Sequence, residues 1–506
     1  MNLPFRICLL SALICAMSLP SLASAELKLP TIIGDGMVLQ RQKPVHIWGW
    51  TKPGQQVTVE LKDKSYSGVA DDHGRFSIKG EPLEASFEPL SMKVTAGTDS
   101  ITINNILVGE VWLCSGQSNM QWSINRSIDG DLATLSANNP HIRLITVPMR
   151  AAQEPQAMFD GQWKTVSPET VPNFSAVGYF FGKKLLETIN VPVGLINNSW
   201  GGSAAEAWTP EEAMLAHPGT RDIVPEWHQN VAKAESEKAE LESKNDLTPE
   251  ETDKLKNLNT LLFGNKRPAN LYNGCLSPLI GYSIRGVIWY QGETNAGRAY
   301  QYRDLFPVMI SQWRRDWDDE FSFYWVQLAD YLAEKDQPSD SAWAELREAQ
   351  TMATALPKTG QAVIIDLGTG SDIHPTNKED VASRLLRHAL AKDYGFKIQA
   401  SSPTLKSFKV DGDSVVLTFD QVAEGLKAID FPDALGFTIA GDDQVFYNAQ
   451  AKITGKDTVV VTSPDVKSPT AVRYAWADNP VANIYSSAGL PLTPFRTDNW
   501  KCVTQK

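Results

Sequence analysis

The run from Ile106 to Cys114 is apolar apart from Gly109 and Glu110, and it leads into Gly116-Gln117-Ser118-Asn119-Met120. Such a run reads as a buried strand closed by a sharp turn, and that turn is where an α/β sheet presents a serine nucleophile. A serine hydroxyl is a weak nucleophile unaided. The reading therefore requires a base and oxyanion donors elsewhere in the chain. Gly201-Gly202 follows a second apolar run, Asn295 follows a third, and His374-Pro375 comes late.

Further strands are expected at Ile142 to Val147, Val193 to Asn198, Ile284 to Tyr290, Phe323 to Leu328 and Ala362 to Asp366. They alternate with helical patterns over residues 105–395, the signature of an α/β unit whose parallel sheet is covered by helices. Three of the four blocks fall just past the carboxyl ends of these strands, where open α/β sheets place their sites. Residues 26–104 show period-two alternation between turn signals, which predicts a small β-sandwich. Residues 396–506 return to the same pattern and predict a second one. Residues 231–263 differ again, being rich in Ala, Glu and Lys, with a capping box at Thr248-Pro249-Glu250-Glu251. They predict a helical hairpin inserted into the α/β unit, serving as a solvated spacer or as a lid or oligomer contact.

Residues 1–25 carry one charge, Arg6, then an apolar core from Ile7 to Leu19, and end in Ala23-Ser24-Ala25. This predicts a cleaved signal peptide, because the apolar core is shorter than the roughly 18 residues that span a bilayer. The expected location is secreted or periplasmic, with no membrane association after cleavage. The chain has 47 basic and 59 acidic residues, a formal charge of −12, and loss of Arg6 makes it one unit more negative. So acidic a surface argues against nucleic acid as partner and fits a neutral or weakly charged glycan. Cys114, Cys275 and Cys502 follow the leader, enough for at most one intramolecular disulfide. No Cys/His cluster has zinc spacing, so neither metal nor cofactor is expected.

The order Ser118, Gly202, Asn295, His374 resembles the four blocks of the SGNH hydrolases. The longer blocks are Gly109 to Met120, Asn198 to Ser203, Arg267 to Gly274, Trp289 to Ala296 and Asp372 to Pro375. Together they resemble the sialate O-acetylesterase family over about residues 30 to 500. The resemblance implies a three-layer αβα catalytic domain flanked by the two β-sandwiches. It also implies hydrolysis of acetyl esters on sugar hydroxyls, with Ser118 as nucleophile, His374 as base, and Ser118, Gly202 or Gly201, and Asn295 as oxyanion donors. Many SGNH enzymes carry aspartate three residues before the histidine. Here that position is Ser371 and the aspartate is Asp372, so Asp372 orients the imidazole or a Ser-His dyad operates, with Asp366 the weaker candidate. Gln291, Glu293 and Trp200 are candidate substrate contacts, although Gln291 and Glu293 better suit support of the Asn295 loop. The acetylated carbohydrate is a sialic acid or another glycan, including plant polysaccharides such as xylan or xyloglucan. The reading from a different class is a non-catalytic glycan-binding protein.

Overall fold

The computed structural model describes residues 26–506, and the predicted signal peptide lies outside them. The central sheet is built from β1 (Asp99–Gly116), β2 (Asn139–Thr146), β3 (Lys164–Val166), β4 (Val193–Ser199), β5 (Gly286–Tyr290), β6 (Ser322–Val326) and β7 (Thr359–Ala362). Its order is β7-β6-β5-β1-β4-β2-β3. The β2–β3 pair is antiparallel and the other neighbours run parallel. The longer helices are α1 (Ala176–Ile189), α2 (Ile223–Glu242), α3 (Pro249–Phe263), α4 (Ala299–Trp317), α5 (Ala342–Met352) and α6 (Lys378–Lys392).

Why three layers form is visible in β1. Successive side chains leave a strand on opposite faces, so Val111 and Leu113 join one core with residues of α4 and α5. Trp112 and Cys114 join the other with residues of α1 and α6. All four are essentially inaccessible to solvent, and burial of a large apolar side chain contributes about 1.5–3 kcal/mol. A strand apolar on both faces is stable only between two helical layers.

β1 is also shared. Its first half pairs antiparallel with Ser86–Ala96 and parallel with Val38–Gln40, and its second half, from Glu110, lies between β4 and β5. The amino-terminal β unit and the α/β sheet thus meet along one continuous backbone at Glu110. That carboxylate has a fully buried side chain and is held by Arg41, by Arg285 Nε at 2.8 Å and by Gln40 Nε2 at 3.0 Å.

In the carboxyl-terminal part, Thr404–Asp411, Ser414–Asp420, Thr458–Thr462 and Gln450–Ile453 form one sheet. Phe446–Asn448, Phe437–Ala440, Ala471–Tyr474 and Phe495–Arg496 form another. Leu417, Val459, Ile439 and Tyr474 share their common core. This explains one departure from expectation: β7 spans 359–362 and not 362–366. Val363 and Ile365 leave the central sheet and pack into that core instead.

The predicted hairpin is α2 and α3, with a small core of Val231, Ala234, Leu241, Leu258 and Leu262. Thr248 and Glu251 form the expected reciprocal cap at the start of α3. Cys114, Cys275 and Cys502 are buried, unpaired thiols. Among the described residues no helix is long and apolar enough to cross a membrane.

Candidate functional site

Three strand ends meet at one level, because Gly116 of β1 is in register with Ser199 of β4 and with Tyr290 of β5. Gly116 has φ +135°, and a Cβ there would lie 2.2 Å from the Tyr290 carbonyl oxygen. Only glycine lets the chain turn so close to β5. Ser118 follows as the first residue of the short helix Ser118–Gln121.

His374 sits on the loop that enters α6. Its Nε2 is 2.9 Å from Ser118 Oγ, and its Nδ1 is 3.3 Å from Asp372 Oδ1. The same Asp372 oxygen accepts the His374 backbone N–H at 2.9 Å. Trp122 stacks on the imidazole at 5.0 Å and 19°, with the Arg126 guanidinium 3.7 Å from the indole centroid. Desolvation lowers the His374 pKa, the Asp372 charge opposes this, and Lys378 reinforces it. A hydroxyl facing a neutral imidazole whose other nitrogen meets a carboxylate can lose its proton as it attacks a carbonyl. Asp366 is engaged elsewhere, paired through both oxygens with Arg384 and reached by the Tyr485 hydroxyl.

The glycine turn lies against this pair. A Cβ on Gly201 would be 3.4 Å from Ser118 Cβ, and the Gly201 N–H donates to Gln121 Oε1 at 2.8 Å. Gly202, at φ +71°, keeps a backbone N–H with no acceptor among the described residues. Of the two glycines, Gly202 has the available donor.

The side chains of Asn295, Gln291 and Glu293 are engaged with other groups of the protein, as the loop-support reading of Gln291 and Glu293 expects. The Asn295 amide donates to Glu206 Oε2 at 2.9 Å, while its oxygen accepts from Ala205 N and Gln291 Nε2. Gln291 is fully buried, donates also to Ser203 O and accepts from the Tyr302 hydroxyl. These two amides brace the turn after Gly202. Buried amides take the partners that satisfy them, and here those partners belong to the protein. Glu293 is likewise turned inward, with Oε1 accepting from Asn119 Nδ2 at 2.7 Å and a buried Oε2 that has no partner among the described residues. Trp200 is half-buried beside Gly201 and borders an open groove.

Asn119 and Lys378 complete a network that motif reasoning missed. Lys378 Nζ donates to Asn119 Oδ1 at 2.5 Å, and Asn119 Nδ2 also donates to Ile373 O at 3.0 Å. The residue after the serine thus holds the residue before the histidine. Burial pulls the Lys378 ammonium down to about 7 against the attraction of Glu293, and burial raises Glu293. Asn377 caps α6 by accepting from Asp380 N. That frame turns Lys378 inward, where a helix-start lysine is usually solvated.

Comparisons with known proteins place the chain in a family. The family model described as carbohydrate esterase, sialic acid-specific acetylesterase, matches residues 108–238 and 266–394, about half of the chain. Sialate O-acetylesterase of Rattus norvegicus is 28% identical over 94% of both chains. That of Homo sapiens is 28% identical over 74% of this chain and 72% of its own. The crystal structure of a carbohydrate acetylesterase from Xanthomonas citri aligns with TM-score 0.81 at 38% identity, covering 94% of this chain and all of that one. The chain is a carboxylic-ester hydrolase and belongs to the sialic acid-specific acetylesterase family of carbohydrate esterases.

Proposed function

We propose that the protein is a carbohydrate O-acetylesterase that works through an acyl-enzyme on Ser118. The observation that carries this reading is the 2.9 Å contact between Ser118 Oγ and His374 Nε2 in a chain of this family. His374 takes the serine proton as Oγ attacks the acetyl carbonyl. The backbone N–H groups of Ser118 and Gly202 receive the oxyanion, each such donor typically contributing a factor of about 10²–10³. Collapse of the tetrahedral adduct breaks the ester bond, and the sugar oxygen leaves with the proton from His374. Water, deprotonated by His374, then attacks the acetyl group on Ser118 and releases acetate. Asp372 holds the imidazole with Nε2 toward the serine. Asn295 and Gln291 act by bracing the turn that carries Gly202.

The substrate is an acetylated sugar, sialic acid or a plant polysaccharide, and the leader at 1–25 fits a protein that meets it outside the cytoplasm. Acetate release by the wild-type chain and Ser118→Ala on O-acetylated sialic acid and on acetylated xylan or xyloglucan tests both points. Release from one glycan, abolished by the variant, is the expected result. Equal release by the variant overturns the serine mechanism.

A further inference from the structure

We infer that α3 of the inserted hairpin forms a glycan subsite beside the reacting centre, one that receives a sugar linked to the acetylated residue. The inference rests on the esterase reading above and extends it to residues 239–265, which the family model leaves unmatched between its two blocks.

Thr252, Lys256, Asn259 and Phe263 recur at intervals of four, three and four residues, so they share one face of α3. Leu258 and Leu262 turn the other way, into the small core of the hairpin. The Thr252 to Phe263 face and Trp200 line a groove of about 620 Å³, within the range of small-molecule sites. Phe263 is 50% exposed there, although the hairpin core begins one residue away.

The groove adjoins the glycine turn beside Ser118, since Trp200 on its lining precedes Gly201. Asn265, also on the lining, donates from Nδ2 to Gly201 O at 2.6 Å, and Gly201 lies against Ser118. A ligand whose ester carbonyl sits at Ser118 therefore extends past Trp200 toward α3. The chemistry of the walls identifies the ligand. Two aromatic side chains offer flat apolar faces for sugar rings, and Asn259 offers an amide for hydroxyls. Among the described residues Lys256 is the only charged one on the lining, in a chain of formal charge −12. A neutral sugar chain, or one bearing a carboxylate, fits that lining.

The test compares kcat/KM on an acetylated xylo-oligosaccharide and on O-acetylated sialyllactose with kcat/KM on 4-nitrophenyl acetate. Wild type, Phe263→Ala and Asn259→Ala are measured as full chains. The ratio of oligosaccharide to small ester cancels differences in the amount of folded enzyme. A fall of about tenfold in that ratio, on either oligosaccharide and in both variants, is expected. An unchanged ratio on both overturns the subsite while leaving the esterase reading standing. An unchanged ratio accompanied by a change in solution mass for Phe263→Ala also overturns it, identifying the face as a contact between copies. Wild-type hydrolysis of none of the three esters overturns the esterase reading and the subsite together.

Discussion

The two ends of the second half of β1 each bury charge, and they do so in opposite ways. At Glu110 the carboxylate is met by two guanidiniums and an amide, so a charge out of water is matched on every side. At the carboxyl end the ammonium of Lys378 and the carboxylate of Glu293 meet only through Asn119, and one Glu293 oxygen is left without a partner. The first arrangement joins two structural units and gains from full satisfaction. The second retains an imperfectly compensated pair beneath the Ser118–His374 contact, and shifted titration of that kind gathers at functional sites. Burial of charge therefore serves stability at one end of the segment and position at the other.

The largest expected effect separates the exposed carboxylate of the site from both buried ones. Asp372 has a side chain 54% exposed, yet it is the group on His374 Nδ1. Asp372→Asn is expected to lower kcat by up to about 10⁴-fold if the carboxylate fixes the tautomer, about 5.4 kcal/mol of barrier. A loss far below that of His374→Ala would indicate a dyad. Next in size, Glu110→Ala leaves two arginines facing a buried gap. It is expected to cost about 3–5 kcal/mol of unfolding free energy, read from urea denaturation. The folded fraction should keep its kcat, and a large loss of kcat would erase the contrast between the two ends.

Removing both charges at the other end should reverse that pattern. The double variant Glu293→Gln/Lys378→Met takes away a pair whose desolvation its attraction barely repays, so stability is expected to stay within about 1 kcal/mol or to rise. The Asn119 bridge to the Ile373 carbonyl then loses the Lys378 donor and keeps only a neutral, weaker acceptor at position 293. Ser118 and His374 drift from contact, and kcat is expected to fall about tenfold, since small misplacements of reacting groups are costly. A variant that is less stable by several kcal/mol with unchanged kcat would make this network structural, like that of Glu110.

The apolar strands were legible in the chain because burial on both faces writes a continuous apolar run. β7 was not, for Thr359-Gly360-Gln361-Ala362 is no such run, while the apolar residues just after it belong to another core. Ser118, Gly202 and His374 were legible because turns and loops at strand ends leave local signatures. The inward partners of Asn295 were not, and Gln291 and Glu293 were legible only as loop support without their partners, because a side chain's partners come from distant segments. Asn295 meets Glu206 and Ala205, and Glu293 meets Asn119. Lys378 shows the same limit at closer range: as the first residue after the Asn377 cap it is buried, and its partner Asn119 lies far away in the chain.

The smallest expected effect lies in the acid limb of the kcat/KM profile. Desolvation and the Lys378 charge both hold His374 below its ordinary 6.5, and the base works only when neutral. Activity should therefore persist to pH values below 6.5 before it falls. Two single variants move this limb in opposite directions. Lys378→Met removes a positive charge that disfavours the imidazolium, so the limb shifts upward. Asp372→Asn removes a negative charge that favours it, so the limb of the residual activity shifts downward. Both shifts are expected to be less than about one pH unit, because each charge acts on His374 less than desolvation does. If the two variants moved the limb the same way, the charge of Lys378 would not be acting on His374, and the catalytic end of β1 would differ from the Glu110 end in packing alone.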